Sequence, residues 1–195
     1  MGRLRRLCRN DSGAAAVEAA IILPLLIFLL FGIIEISLLL RDNIAVTSLV
    51  RAGARTASAE PRSATMVPDT VTAMEKAGSA LPQDNYDELW IYRADSNGLP
   101  IGNSPSDKFS VCGTDCVRYA WNDNRDTFGK VSGSWDPLSI NACPGDANAM
   151  SVGVYLKADH KFLTGLFGPT MTVSDYAVLK FEPVATYSSS LPCKP

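Results

Sequence analysis

One apolar run near the start of the chain limits what the rest of it can be. Between Ala14 and Leu40 the only charged residues are Glu18 and Glu35. As a single helix this run would be about 40 Å long at about 1.5 Å per residue, against a bilayer hydrocarbon core of roughly 30 Å. The run therefore predicts a helix that spans a membrane and projects beyond it.

The charges on either side of the run predict its orientation. The formal charge of −2 divides into +3 for residues 1–13 and −5 for the remainder. Basic residues favour the cytoplasmic side of a membrane, and Arg41, Arg51 and Arg55 on the far side weaken this bias without reversing it. We expect residues 1–13 to be a cytoplasmic leader of a single-pass protein of the cell membrane, with an exported C-terminal domain. Because that domain is acidic, a nucleic-acid partner is not expected.

The run is not typical of an ordinary secretory signal peptide. It is well beyond the roughly 7–15 apolar residues of a signal-peptide core. It also ends in Leu38-Leu39-Leu40-Arg41, without the small residues that a signal peptidase requires. Two possibilities stay open, an uncleaved anchor and a cleavage before the run that leaves the whole helix on the mature protein.

The residues around the start of the run resemble a known family. The pattern consists of Gly13-Ala14-Ala15-Ala16-Val17-Glu18, Leu23-Pro24-Leu25-Leu26, Phe31-Gly32-Ile33-Ile34-Glu35-Ile36 and Ala52-Gly53-Ala54-Arg55-Thr56-Ala57. It is similar to the TadE-like pseudopilins, or minor pilins, of Flp (Tad) type IVb pilus systems. The similarity is strong over residues 10–60. Weaker matches at residues 91–95, 151–155 and 181–183 look most like actinobacterial members.

The resemblance implies a processing site. A prepilin peptidase would cut between Gly13 and Ala14, so the chain would be the substrate of that reaction and catalyse none. Glycine before the bond permits the unusual backbone that a peptidase cleft can accept. The implied partners are the membrane, the prepilin peptidase, other pilin or pseudopilin subunits and the Tad assembly platform.

The two glutamates of the run each have two interpretations. In the pilin interpretation Glu18 pairs with the new amino terminus at Ala14, of its own or a neighbouring subunit, and guides assembly. Otherwise it marks the cytoplasmic interface, where its carboxylate stays hydrated; a carboxylate inside a membrane is costly and therefore suggests a function. Glu35 lies about 26 Å further along the axis, near the outer interface. It either faces another subunit in assembly or reaches the lipid headgroups.

The helix is expected to continue into water as far as Pro61, which gives a helical segment at residues 14–61. Arg51 and Arg55 lie one turn apart on this extension. They would contact lipid phosphates or the carboxylates of a partner, or they would form a solvated face.

Residues 62–195 are expected to form an exported α+β domain with an antiparallel sheet and one or two helices. Val67, Val71 and Met74 repeat with helical spacing before Gly78. Residues 162–168 form an apolar connector that would touch either the membrane or a partner. The predicted strands are residues 89–93, 117–121, 128–131, 151–157 and 170–181.

The cysteines of the domain form an even set, as expected for an exported protein. They are Cys112, Cys116, Cys143 and Cys193, which allow three pairings, and free thiols are the alternative. A bond from either of the first two to Cys143 would close a loop of about 30 residues and stabilise by roughly 3 kcal/mol. The spacing is a poor zinc pattern, and neither a metal nor another cofactor is expected.

No catalytic constellation emerges from the sequence. The single histidine, His160, is accompanied by no nucleophile motif, and we expect it to be a loop residue with ordinary hydrogen bonds. An enzyme with a small-molecule substrate is therefore not expected. The sequence favours a structural subunit at pilus initiation or at the pilus tip. The alternative is a surface binding or adhesion protein that merely uses this anchor.

Overall fold

The computed structural model describes residues 12–78 and 81–184. Its largest element is a single helix, α1 (Ser12–Ala59), which continues through Pro24 and ends two residues before Pro61, against a prediction of residues 14–61. From Gly13 to Phe31 every side chain of α1 is exposed, whereas a continuous stripe from Glu35 to Ser58 is buried. The first part is therefore an apolar rod and the second part belongs to the core of the domain.

The domain behind α1 is a five-stranded antiparallel sheet with one more helix. The order across the sheet is β3-β2-β1-β4-β5, so each hairpin lies on one side of the central strand β1. The α+β class and all of the strands expected from the sequence are confirmed. The elements are α2 (Met66–Ala77), β1 (Tyr86–Ala94), β2 (Cys116–Asn122), β3 (Thr127–Ser134), β4 (Ser151–Lys161) and β5 (Thr170–Lys180).

One face of the sheet packs against both helices. Val46, Leu49 and Val50 of α1 are almost completely buried there, together with Leu89 and Ile91 of β1. α1 contacts β4, β5 and α2. The buried stripe of α1 thus supplies much of the hydrophobic core, which is why the helix and the sheet form one folded unit.

The opposite face of the sheet carries an aromatic cluster. Trp90, Tyr92 and Tyr155 are buried there, and Phe109 from the β1–β2 connection stacks on Tyr155 with 3.8 Å between ring centroids. The Tyr92 hydroxyl donates to the Gly98 carbonyl at 2.9 Å, and burial raises the pKa of this phenol. Gly153 lies beneath the Tyr92 ring, and a Cβ there would overlap the ring.

The disulfide arrangement differs from the loop considered above. Cys112 bonds to Cys116, at the end of the connection that covers the aromatic cluster. Neither of them therefore pairs with Cys143. Cys143 is itself disulfide-bonded, and Cys193 lies outside the described residues. The short loop forms because residues 113–115 bring the two sulfurs together just as β2 begins, a local geometry that cysteine spacing alone does not reveal.

Candidate functional site

The proposed processing site lies at the beginning of α1. Gly13 and Ala14 are in the first described turn of the helix, and both are exposed. A Cβ added at Gly13 would meet no atom within 4 Å. Because the first turn of a helix has few hydrogen bonds of its own, the peptide bond after Gly13 lies where the helix opens most easily.

The rod that follows Ala14 is not covered by the rest of the described structure. Large apolar side chains from Val17 to Ile34 are between 39% and 71% exposed. It is the one helix among the described residues that is long and apolar enough to cross a membrane. Glu18 is exposed in its first turns and forms no hydrogen bond or ion pair with another described side chain. An apolar rod of this length requires lipid, other helices or both around it.

Glu35 is completely buried by the chain's own domain, and neither of the surroundings expected for it is found. Its carboxylate accepts hydrogen bonds from the Leu163 amide at 3.1 Å, the Thr164 amide at 2.5 Å and the Thr164 hydroxyl at 2.7 Å. All three donors belong to the connection between β4 and β5. A buried carboxylate is tolerated when its oxygens are hydrogen-bonded in this way.

Asp42, two turns further along α1, forms a second buried polar contact. Its Oδ2 lies 2.7 Å from Nδ1 of His160, and both side chains are almost fully enclosed. Arg41 donates to the other oxygen at 2.9 Å. His160 therefore lies in strand β4 and not in a loop, because the strand extends four residues beyond its predicted end.

A third contact completes the attachment of α1 to the β4–β5 hairpin. The Thr47 hydroxyl donates to the Asp175 carboxylate at 2.7 Å. We call the three contacts together the clasp. Its members are Glu35 with Leu163 and Thr164, Asp42 with His160, and Thr47 with Asp175.

The order of the contacts in the clasp fixes the direction of the hairpin. As α1 proceeds from Glu35 to Asp42, its partners on the other side move from Thr164 back to His160. The turn of the hairpin therefore points toward the exposed apolar rod. At the end of β4 that leads into this turn, Lys161 donates to Asp84 at 2.7 Å and lowers the pKa of that carboxyl group below its usual range.

Arg51 and Arg55 are both exposed on α1, as expected for residues one turn apart. They line a shallow groove with Tyr176, Val178 and Leu179 of β5, which is an edge strand of the sheet. Neither guanidinium forms an ion pair with another residue of the described chain. The structure thus leaves them available to a partner or to water.

Sequence reasoning missed the clasp because its partners lie more than a hundred residues away from α1. One signal was present. Glu35, Asp42 and Leu49 recur at intervals of seven, which places two carboxylates on the helix face that Leu49 buries. Within residues 12–78 and 81–184, no three His, Cys, Asp or Glu side chains are grouped so that they could bind one metal ion.

Comparison with models of known protein families gives a match for α1. The family model described as "TadE-like protein" matches residues 13–55. This confirms the resemblance over the rod and the first part of the buried stripe of α1. No curated protein and no solved structure matches the chain.

Proposed function

We propose that this chain, whose residues 13–55 match the model of TadE-like proteins, is a minor-pilin-like structural subunit that takes part in Tad (Flp) pilus assembly. The TadE-like match implies a Tad-pilus-associated role, and the family is not known to be enzymatic. The observation that carries the proposal is the exposed apolar rod at residues 13–34, which coincides with the matched segment. Such a rod is suited to wait in the membrane and then to pack with the helices of other subunits.

In this proposal the leader is removed by a prepilin peptidase between Gly13 and Ala14. The leader faces the cytoplasm and the sheet domain is exported. Both residues are exposed and lie in the first described turn of α1. This supports the proposal, because the helix must unwind around a peptide bond before a peptidase can cut it. The cleaved chain keeps the entire rod and gains a new amino group at Ala14.

Glu18 is the proposed assembly residue. It lies about 6 Å along the helix from the new amino terminus, which is within reach of a side-chain ion pair with its own or a neighbouring subunit. An exposed carboxylate on an apolar rod, with no partner among the described side chains, is expected to find one in the assembled state. Arg51 and Arg55 are proposed as further contacts, with carboxylates of a partner subunit.

The experiment compares two test variants and two control variants in cells that carry a complete Tad system. Gly13→Leu should accumulate uncleaved in the membrane, and Gly32→Leu, in the same helix and also in open space, should be cleaved normally. Glu18→Ala should be cleaved and inserted but should reduce the number of pili and the amount of the subunit in sheared pili. Val17→Ala, at the neighbouring exposed position, is the matched control.

Two results would contradict the proposal. Normal cleavage of Gly13→Leu would remove the processing site. Unchanged piliation with Glu18→Ala would remove Glu18 from its assembly role. If the chain never associates with pili while the exported domain still binds cells or surfaces, the alternative of a membrane-anchored adhesion protein is favoured.

A further inference from the structure

The turn of the β4–β5 hairpin is the part of the domain nearest to the apolar rod. We call residues 162–169 the hairpin tip. Its Leu163 and Thr164 amides bind Glu35, which is the first buried residue of α1 after the rod. Since β4 and β5 extend away from the rod beyond this point, the tip stands at the same level along α1 as the end of the rod.

The hairpin tip is apolar and exposed. Leu163 is 73% exposed and Phe167 is 54% exposed, and Leu166 and Met171 beside them are also exposed. No charged residue occurs between Lys161 and Asp175. An exposed apolar patch without charges is typical of a surface that another apolar phase covers.

The length of the rod places the tip at a membrane boundary. Residues 14–34 form about 32 Å of helix, which matches a hydrocarbon core of roughly 30 Å. With the first turns of α1 near one boundary, Glu35 and the hairpin tip lie at the other. Leu163 and Phe167 then stand beside the rod at the depth where the acyl chains end.

We propose that the hairpin tip inserts Leu163, Leu166 and Phe167 into the interfacial region of the outer leaflet and rests the domain on the lipid. Phospholipid is the occupant that the position of the tip favours, because lipid surrounds the rod at that level and the tip carries no charge that must stay in water. The same turn binds the Glu35 carboxylate through its amides, so this charge at the boundary is covered by protein and not by acyl chains.

The inference requires that α1 is a membrane anchor, and it does not depend on cleavage or on pilus assembly. In this arrangement the clasp also restrains the orientation of the sheet domain. With the tip on the lipid and the clasp closed, the sheet domain has two points of attachment to the membrane and a defined tilt, whereas a single helix would let it rotate.

The test uses the full chain with Cys8→Ser, reconstituted at one copy per lipid nanodisc. A single cysteine is introduced and labelled with a polarity-sensitive fluorophore at Phe167, at Leu26 in the rod, or at Val131. Val131 is the matched control, since it is 56% exposed on β3, at the opposite edge of the sheet. The parent chain without an introduced cysteine should take up no dye.

Spin-labelled phospholipid should quench the dyes at Leu26 and Phe167 several-fold more strongly than the dye at Val131, and aqueous iodide should show the reverse order. If the Phe167 dye behaves like the Val131 dye while the Leu26 dye is quenched by lipid, the inference is overturned and the anchor stands. If the Leu26 dye is also not quenched by lipid, the membrane anchor itself fails.

A second position guards against a local effect of the label. Leu163→Cys should give the same result as Phe167→Cys, because both side chains belong to the hairpin tip. Protection from iodide without quenching by lipid at both positions would show that protein covers the tip, and would equally overturn the proposal. One chain per nanodisc excludes a second copy as the cause of any protection from iodide.

Discussion

Glu35 shows how a single carboxylate can join the apolar part of a helix to a sheet domain. It is the only acidic residue between Glu18 and Asp42, and it is fully buried against the β4–β5 hairpin. Hydrogen bonds to a charged group contribute about 1.5–3 kcal/mol each, more than bonds between neutral groups. The three bonds it accepts therefore hold the hairpin tip in place against the end of the rod.

Substitution Glu35→Ala should release the hairpin tip. Losing even one such hydrogen bond, at the lower value of about 1.5 kcal/mol, raises local opening roughly tenfold, so amide exchange at residues 162–169 should increase at least that much. Hydrogen exchange with mass spectrometry on the detergent-solubilised chain measures this directly. Glu18→Ala is the control and should leave the exchange of the tip unchanged, and equal exchange in both variants would remove Glu35 from the clasp.

Substitution Asp42→Ala should destabilise the whole domain. Removing one member of a buried, hydrogen-bonded pair leaves the other uncompensated, at a cost of about 3 kcal/mol. Urea unfolding of the full chain in micelles, followed by tryptophan fluorescence, gives the change in the free energy of unfolding.

Asp159→Ala is the matched control for Asp42→Ala. Asp159 lies beside His160 in β4 but accepts only an exposed hydrogen bond from Thr172. Its loss should cost about 0.5 kcal/mol or less, as at most surface positions. A similar small cost for Asp42→Ala would contradict the importance assigned to its pair with His160.

At the scale of elements, α1 is one continuous helix whose two parts have different surroundings. The first part presents apolar side chains all round, and the second part buries one stripe against α2, β4 and β5. The change occurs at Glu35 without any break in the helix. The helix therefore transmits the position of the membrane segment directly to the core of the domain.

Gly53 lies where α1 packs tightly against Met74 of α2. A Cβ at this position would lie 2.7 Å from the Met74 sulfur and 3.3 Å from the Val154 side chain. Gly53→Val should therefore overpack the core and lower the free energy of unfolding by about 1–3 kcal/mol. Gly32→Val, in open space on the same helix, should change the melting temperature of the domain little. Equal melting temperatures for the two variants would show that a larger side chain at position 53 costs no stability, which would contradict the tight packing of α1 against α2.

The Cys112–Cys116 bond closes a short loop, so its contribution should be modest. The entropy model gives about 2 kcal/mol for a loop of this size, less than for a loop of about 30 residues. Replacing both cysteines by serine should lower the unfolding free energy by that amount and loosen Phe109 over the aromatic cluster. Thermal melting of the serine variant with the Phe109 signal resolved by NMR measures both effects, and an unchanged melting temperature would contradict them.

The sequence predicts the elements of this fold well because their signals are local. The alternation in residues 151–157 and the helical spacing of Val67, Val71 and Met74 each lie within one element. The order of the strands and the partners of Glu35 and Asp42 are set by packing between distant segments. Short-range patterns do not contain that information, and this is why His160 was expected in a loop.

At the scale of the whole molecule, the domain and the rod form one body. The buried stripe of α1 and the clasp connect them on one face, and the hairpin tip points back toward the rod. The sheet domain is held at a fixed angle to the rod, because the rod and the buried stripe that packs on the sheet belong to one continuous helix. Removal of the leader would leave this body intact and would change only the end of the rod.

Determining the N-terminus of the mature chain tests the proposed cleavage and assembly route most directly. The protein is extracted from the membranes of cells that carry a complete Tad system, and its N-terminal sequence and intact mass are determined. Because the proposed cleavage lies between Gly13 and Ala14, we expect a chain that starts at Ala14 and lacks residues 1–13. A chain that retains the arginines of the leader would contradict it.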